Sequence, residues 1–256
     1  MSRELRAAVA ATGRDLYPLG SLGARKVIHF GDLRALQLMH QHGELHDRDL
    51  REDEEDKDKS LCNLAAAKGQ LEILKWLREN GFWCDEETCT RAAECGNLEV
   101  LKLLRANGCP WNETTCAYAA KGGHLEILQW ARANGCPWNE WTCEDAANGG
   151  HLEMLQWLRA KGCPWSAQNC TSAAGRGHLD VLQWLRENGC PWDENTCAAA
   201  AEGGHFNVLQ GARANGCPWN GLTCFYAVLS GHREMLKWAR ENGAPVPKDM
   251  NLSCLD

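Results

Sequence analysis

The sequence repeats itself every 27 residues, and this period constrains the fold more than any other feature. The tripeptide Cys-Pro-Trp recurs with this spacing, beginning at Cys109, Cys136, Cys163, Cys190 and Cys217. A second cysteine and an arginine each keep the same step over seven copies. A period shared by this many positions is the signature of an architecture built from stacked repeats.

Each repeat predicts two short helices. In the unit Thr142–Gln168, helix A is expected to begin near the Asn or Asp that follows each tryptophan, as at Asn139, because these residues are good N-caps. Helix B is expected to run from about His151 to Ala160, and Gly162 follows it at the position of a left-handed cap. The repeat is therefore predicted to be a helix–turn–helix unit.

A helix pair of this length cannot bury both of its apolar faces alone, so the pairs are expected to stack along one axis. We predict an all-α solenoid of about eight helix–turn–helix repeats with short loops, covering residues 23–246. Residues 1–22 are predicted to form an N-terminal cap or extension, and residues 247–256 a C-terminal cap or tail. Residues 47–59 hold eight acidic and four basic side chains and are interpreted as an insertion between two repeats.

The string Ala146-Ala147-x-x-Gly150-His151-Leu152-Glu153-x-Leu155 resembles the ankyrin repeat. The resemblance extends over about residues 23–246, with two departures. The Thr-Pro-Leu-His opening of ankyrin repeats is replaced by x-Thr-Cys-x, and the period is shorter than that of an ordinary ankyrin repeat. The residues missing from the shorter repeat are those that form a projecting β-hairpin finger in ankyrin repeats. The resemblance therefore implies short Cys-Pro-Trp loops with little or no strand, and protein partners.

Charge and hydropathy exclude several classes of function. The net charge of −7 argues against nucleic-acid binding, which needs a basic surface. No apolar run approaches the roughly 20 residues of a membrane span, so membrane insertion is not expected. Glu4 and Asp15 argue against an organellar transit peptide without excluding one, and the N-terminus has no secretory pattern. We predict an intracellular, cytoplasmic protein.

Fifteen cysteines raise the alternative of a metal-binding or redox-responsive protein. Each repeat holds one thiol in the loop and one in helix A, such as Cys136 and Cys143, and a metal site would combine them with a histidine such as His124 or His151. The spacing differs from that of zinc sites. Equivalent cysteines of adjacent repeats are expected about 8–10 Å apart, beyond the reach of a disulfide. Free thiols that pack the repeats are the favoured interpretation, with no cofactor and no metal site.

The other recurring polar and aromatic residues are predicted to be structural. Histidines at the start of helix B are expected to hydrogen-bond to the loop backbone of the neighbouring repeat, and the tryptophans to pack. The arginines fall in the last turn of helix B, where a cation complements the helix dipole. The sequence contains no nucleophile elbow, phosphate-binding loop or His-Glu-x-x-His motif, so no catalytic residue is assigned and the protein is not expected to be an enzyme.

Positions that vary between repeats on one face of helix A are the candidate binding site. The resemblance implies that helix A lines the concave side of the stack, where these residues would form one surface. Trp141 stands out, because other repeats place Thr, Gln, Asn or Leu there. The alternative is that these are merely variable, solvated positions. We predict a non-enzymatic scaffold or assembly subunit, and the identity of its partner and its oligomeric state stay open. The candidate residues are Arg91, Glu94, Tyr118, Lys121, Trp141, Glu144, Asp145, Asn148, Phe225 and Tyr226.

Overall fold

The computed structural model describes residues 23–43, 45 and 60–247, and this part of the chain is all-α. The first 22 residues, the predicted acidic insertion and residues 248–256 lie outside it. Sixteen helices follow one another in the described ranges, and no strand occurs there. They are α1 (Ala24–His29), α2 (Leu33–Gln41), α3 (Leu61–Ala67), α4 (Leu71–Glu79), α5 (Glu86–Glu94), α6 (Leu98–Ala106), α7 (Glu113–Lys121), α8 (Leu125–Ala133), α9 (Glu140–Asn148), α10 (Leu152–Ala160), α11 (Ala167–Gly175), α12 (Leu179–Glu187), α13 (Glu194–Glu202), α14 (Phe206–Ala214), α15 (Gly221–Leu229) and α16 (Arg233–Glu241).

The chain divides into two compact units. The first comprises Met1–Ala119 and Glu126–Cys136, and the second Ala120–Leu125 and Pro137–Asp256. In the first unit, the odd-numbered helices α1, α3 and α5 pack side by side, each paired with the even-numbered helix that follows it. In the second unit α9, α11, α13 and α15 do the same, and α10, α12 and α14 form a second layer. The predicted stack of helix–turn–helix repeats is confirmed, with the odd-numbered helices as helix A and the even-numbered ones as helix B.

Helix A begins where the sequence places an N-cap. The side chains of Asn139, Asp193 and Asn220 each accept a hydrogen bond from the backbone N–H two residues later. Asp85 and Ser166 form capping boxes with the residue three positions on, which satisfies two free backbone N–H groups at once. These local bonds define the start of these five A helices, as predicted for the Asn and Asp residues, whereas Gly23 and Ser60 before α1 and α3 form no side-chain cap.

Glycine ends every helix in the described ranges. A glycine with positive φ stands two residues after the last residue of each of the sixteen helices. Gly150, with φ of 74°, ends α9, and Gly162, with φ of 77°, ends α10. Residues other than glycine rarely adopt this conformation, so the chain reverses where the sequence offers Gly.

Small residues on helix A and larger ones on helix B form the core. The consecutive alanines of helix A, such as Ala146 and Ala147, are fully buried, which lets neighbouring A helices approach closely. Helix B contributes Met154, Leu155 and Leu158 and their equivalents, which are buried as well. None of the described helices has both the length and the apolar character needed to cross a membrane.

Candidate functional site

Four of the predicted binding residues lie on one stripe of α9, in the second unit. Trp141 lies three and four positions before the adjacent Glu144 and Asp145, and Asn148 lies four and three positions after them, so all four side chains share one side of the helix. We call these four residues the α9 face. The indole of Trp141 is 53% exposed, while the three polar side chains are half-buried. The α9 face therefore joins an exposed aromatic ring to two carboxyl groups.

The polar part of the α9 face is ordered by the neighbouring helix α11. Ser172 donates a hydrogen bond of 3.3 Å to Oε1 of Glu144. Nε of Arg176, which directly follows α11, donates a bond of 2.8 Å to Oδ1 of Asn148. Because both donors come from the next A helix or its C-cap, these side chains form one surface with it and keep defined orientations.

The other predicted residues of the second unit lie on α7 and α15. Lys121 is exposed at the end of α7. Phe225 and Tyr226 contact each other on α15, with ring centroids 5.4 Å apart. Since α11 and α13 lie between α9 and α15, these two rings do not join the α9 face directly.

Arg91, Glu94 and Tyr118 belong to the first unit. Arg91 forms ion pairs of 2.8 Å with both Glu87 and Glu94 along α5, and all three side chains are half-buried. Tyr118 is half-buried on α7. In this unit, the predicted positions carry a salt-bridged network on α5.

The candidate binding residues leave out some of the exposed apolar side chains. Leu222 and Leu229 lie on the same stripe of α15 as Phe225, and Leu229 is 69% exposed. Trp83 is 75% exposed in the loop before α5, where the period places the proline of Cys-Pro-Trp. The signal in both cases is an apolar residue at a position that other repeats fill differently.

The cysteines meet in a pattern that the sequence did not predict. The Cys143 thiol hydrogen-bonds to Cys163, Cys170 to Cys190, and Cys197 to Cys217. Each pair joins helix A to the loop after helix B of the same repeat, so a helix thiol meets the loop that follows it rather than the loop that precedes it. The loop cysteines continue the chain of bonds, because Cys163 and Cys190 donate to the backbone carbonyls of the N-cap residues Asn139 and Ser166 at 3.5 and 3.3 Å.

These surroundings are those of thiols that pack in the interior of the repeat. The hydrogen bond to Cys190 and burial raise the pKa of the Cys170 thiol, which therefore stays protonated near neutral pH. Burial also raises the pKa of Cys224, against a smaller opposing effect of Arg240. In the described ranges, no group of three or more His, Cys, Asp or Glu side chains is arranged to hold a metal ion. All fourteen cysteines there are free thiols, and Cys95 alone among them is exposed.

The histidines hold successive repeats together. Nε2 of His151 lies 3.1 Å from the carbonyl oxygen of Lys121, and Nε2 of His178 lies 3.1 Å from that of Asn148. Both acceptors are the last residue of helix A in the preceding repeat. The predicted hydrogen bond to the backbone of the neighbouring repeat is confirmed for these two histidines, but its acceptor lies at the end of helix A and not in the loop.

The arginines of helix B are engaged with the loop that follows. Guanidinium groups donate to the carbonyl oxygen of the loop cysteine, as from Arg186 to Cys190 and from Arg213 to Cys217. The same groups lie over the loop tryptophan, with Cζ of Arg186 4.1 Å from the ring centroid of Trp192. These two contacts hold the loop in place and engage the guanidinium group of the arginine.

The tryptophans form edge-to-face pairs between a loop and the helix B of the next repeat. Trp138 and Trp157 have centroids 5.8 Å apart, and Trp165 and Trp184 are 6.0 Å apart. The pairs Trp111–Trp130 and Trp219–Trp238 have the same geometry. The series is broken at Trp192, because Gly211 stands in α14 where the partner indole is expected.

Comparison with known proteins agrees with this architecture. A family model described as ankyrin repeats (many copies) matches residues 89–132, 116–159 and 143–186. Residues 89–186 are therefore ankyrin repeats. The crystal structure of the human ASB11 ankyrin repeat domain is similar in fold, with a TM-score of 0.51 and 20% sequence identity. The match covers 62% of this ankyrin-repeat chain and 85% of the other chain. No curated protein sequence matches it.

Proposed function

We propose that this ankyrin-repeat protein is a non-enzymatic interaction module, a scaffold or assembly subunit, that binds a partner protein through the A helices. Ankyrin repeats are generally protein–protein interaction modules, and the family carries that part of the proposal. The α9 face supports the choice of surface. An intracellular, cytoplasmic location belongs to the same proposal.

The observation that favours the α9 face is the exposure of Trp141. The repeat does not require an aromatic residue there, since Thr114, Gln168 and Asn195 hold the equivalent positions in other repeats. An exposed indole beside fixed polar groups is the usual composition of a binding hot spot. The carboxyl groups of Glu144 and Asp145 favour a partner segment that is basic next to an apolar residue.

The test begins with affinity purification and mass spectrometry to identify the partner. Its affinity is then measured by calorimetry for the triple variant Trp141→Ala, Glu144→Gln and Asp145→Lys. Gln is chosen at position 144 because its amide oxygen still accepts the hydrogen bond from Ser172. We expect the affinity to fall at least about tenfold, or roughly 1.4 kcal/mol.

The matched control reverses charge elsewhere. Glu153 and Asp180 are exposed in the first turns of the B helices α10 and α12, so Glu153→Lys with Asp180→Lys changes the net charge without touching the A helices. We expect this control to change the affinity by less than about twofold. Equal losses in the two variants, or none in the triple variant, would rule out the α9 face as the binding surface.

A further inference from the structure

A pocket lies beside Trp192, in the second unit, where the series of tryptophan pairs is broken. Its volume is ≈ 440 Å³, within the range of ligand-binding pockets. Leu179, Leu182 and Ala212 line it together with the ring of Trp192 and the backbone of Gly211. All of its lining residues come from α12, α14 and the segments that directly follow these helices, so it is separate from the α9 face.

The pocket has the position of a missing indole. In four other repeats, the sixth residue of helix B is a tryptophan that packs edge to face against the preceding loop tryptophan, at centroid distances of 5.8–6.0 Å. The sixth residue of α14 is Gly211. The repeat has thus kept one member of the pair and lost the other, and Trp192 makes no ring–ring contact within the described ranges.

In another part of the stack, both tryptophans of the pair are replaced. In α6 the helix position is Leu103, and the corresponding loop position is Cys84 rather than tryptophan. Both members have become smaller there, so no indole is left with an unfilled side. At Gly211 only the helix tryptophan is missing, so one side of the Trp192 ring stays available. Such a surface can pack against an aromatic group.

The rim of the pocket is polar. Gln183, Glu187 and Asn215 line its edge and are exposed, and Nδ2 of Asn215 donates to the carbonyl oxygen of Gly211 at 2.8 Å. The carboxylate of Glu187 and the amide oxygen of Gln183 are acceptors for an indole N–H. A tryptophan therefore suits the pocket better than phenylalanine, because its N–H finds a partner at the rim.

We infer that this pocket binds a tryptophan side chain of a partner protein, which completes the edge-to-face pair with Trp192. The guanidinium of Arg186 lies on the ring of Trp192 and holds it in place for the incoming indole. The inference rests on the proposed function in one respect, namely that the tryptophan belongs to a partner protein. It adds a second contact, on the B helices.

The probe for this site is N-acetyl-5-fluorotryptophan amide, followed by fluorine NMR on the full chain. We expect saturable binding with a Kd of about 0.1–1 mM, the range of a fragment of this size. N-acetyl-phenylalanine amide, measured by competition, is expected to bind at least about threefold more weakly because it lacks the N–H. No saturable binding up to about 10 mM, or equal binding of the two amides, would overturn the inference.

Two variants fill the pocket. Gly211→Trp restores the residue that other B helices carry, and Gly211→Leu copies Leu103 of α6. A Cβ at position 211 lies 3.0 Å from Cδ1 of Leu179, the end of a flexible side chain. The leucine variant keeps the test valid if the larger one does not fold. Each folded variant, checked by circular dichroism, is expected to bind the probe at least about tenfold more weakly than the wild type. Unchanged binding would place the probe elsewhere.

Two further measurements separate the possible outcomes. Sedimentation of the wild type and Gly211→Trp tests for a second copy of this chain, and self-association that Gly211→Trp abolishes would overturn the assignment to a partner protein. The triple variant of the α9 face should bind the probe as the wild type does. Loss of partner binding in that variant together with no probe binding in the wild type would refute the pocket and leave the proposed function intact.

Discussion

At the scale of single residues, buried threonines at the third position of helix A differ in what they bind. The hydroxyl of Thr88 hydrogen-bonds to Asn63 at 2.6 Å and shares a capping box with Asp85. The hydroxyl of Thr142 is equally buried and has no hydrogen-bond partner in the part of the chain that the structure describes. The same residue type at the same repeat position therefore makes opposite contributions to stability.

A matched pair of substitutions tests this difference. Thr88→Val should lower the free energy of unfolding by about 1–3 kcal/mol, because the buried side chain loses its hydrogen bonds to Asn63 and Asp85. Thr142→Val keeps the shape of the side chain and removes an unpaired hydroxyl, so we expect no loss within about 0.5 kcal/mol, or a gain. Urea unfolding of both variants is the measurement. Equal losses would show that Thr142 has a partner such as a buried water.

At the scale of helices, the glycines with positive φ have two different structural roles. A Cβ on Gly150, which ends α9, would lie 2.7 Å from the ring of His178, the residue that precedes α12 in the next repeat. That ring also bonds to the carbonyl of Asn148. A Cβ on Gly162, which ends α10, would meet nothing within 4 Å. Gly150 thus permits a contact between repeats, while Gly162 only reverses the chain.

Substitution of each glycine by alanine separates the two roles. Gly162→Ala should lower the free energy of unfolding by about 1 kcal/mol, the cost of a left-handed residue with a Cβ. Gly150→Ala should cost at least about 2 kcal/mol, because the His178 ring must move and its hydrogen bond is lost as well. Unfolding curves give both values. If Gly150→Ala in a His178→Ala background still costs twice as much as Gly162→Ala, the ring is not the cause.

At the scale of the whole molecule, the thiols distinguish packing from metal or redox chemistry. Thirteen of the fourteen described cysteines are buried, and Cys95 is exposed. Cys254 lies outside the described residues, so the test uses the variant Cys254→Ser. Partial burial and Glu94 raise the pKa of Cys95, which slows its reaction at neutral pH without preventing it.

Titration of this variant with a thiol reagent should give one fast group in the native state. Addition of guanidinium should release the rest, for a total of fourteen. The burial of the other thiols, which excludes the reagent, is the physical reason. A total below fourteen in denaturant without reductant would indicate disulfides. Zinc or copper in elemental analysis would favour the metal alternative.

Most of the architecture was readable from the sequence, because its signals are local. The period, the Asn and Asp caps such as Asn139, and the glycines such as Gly162 act through their own backbone neighbours, so the structure confirms the helices that they predict. Trp141 could be singled out as an off-pattern residue in the same way. The predictions of one continuous binding surface and of its partner stay untested.

A stack of ankyrin-type helix pairs follows from the sequence alone, because a short amphipathic unit repeated many times has few other ways to bury its apolar faces. Which side chains meet depends on the packing of the folded chain. It brings together thiols from separate segments, such as Cys143 in a helix and Cys163 in a loop, and leaves a pocket where Gly211 faces Trp192. Contacts of this kind depend on how two helices and a loop pack in space, and no local pattern encodes that distance.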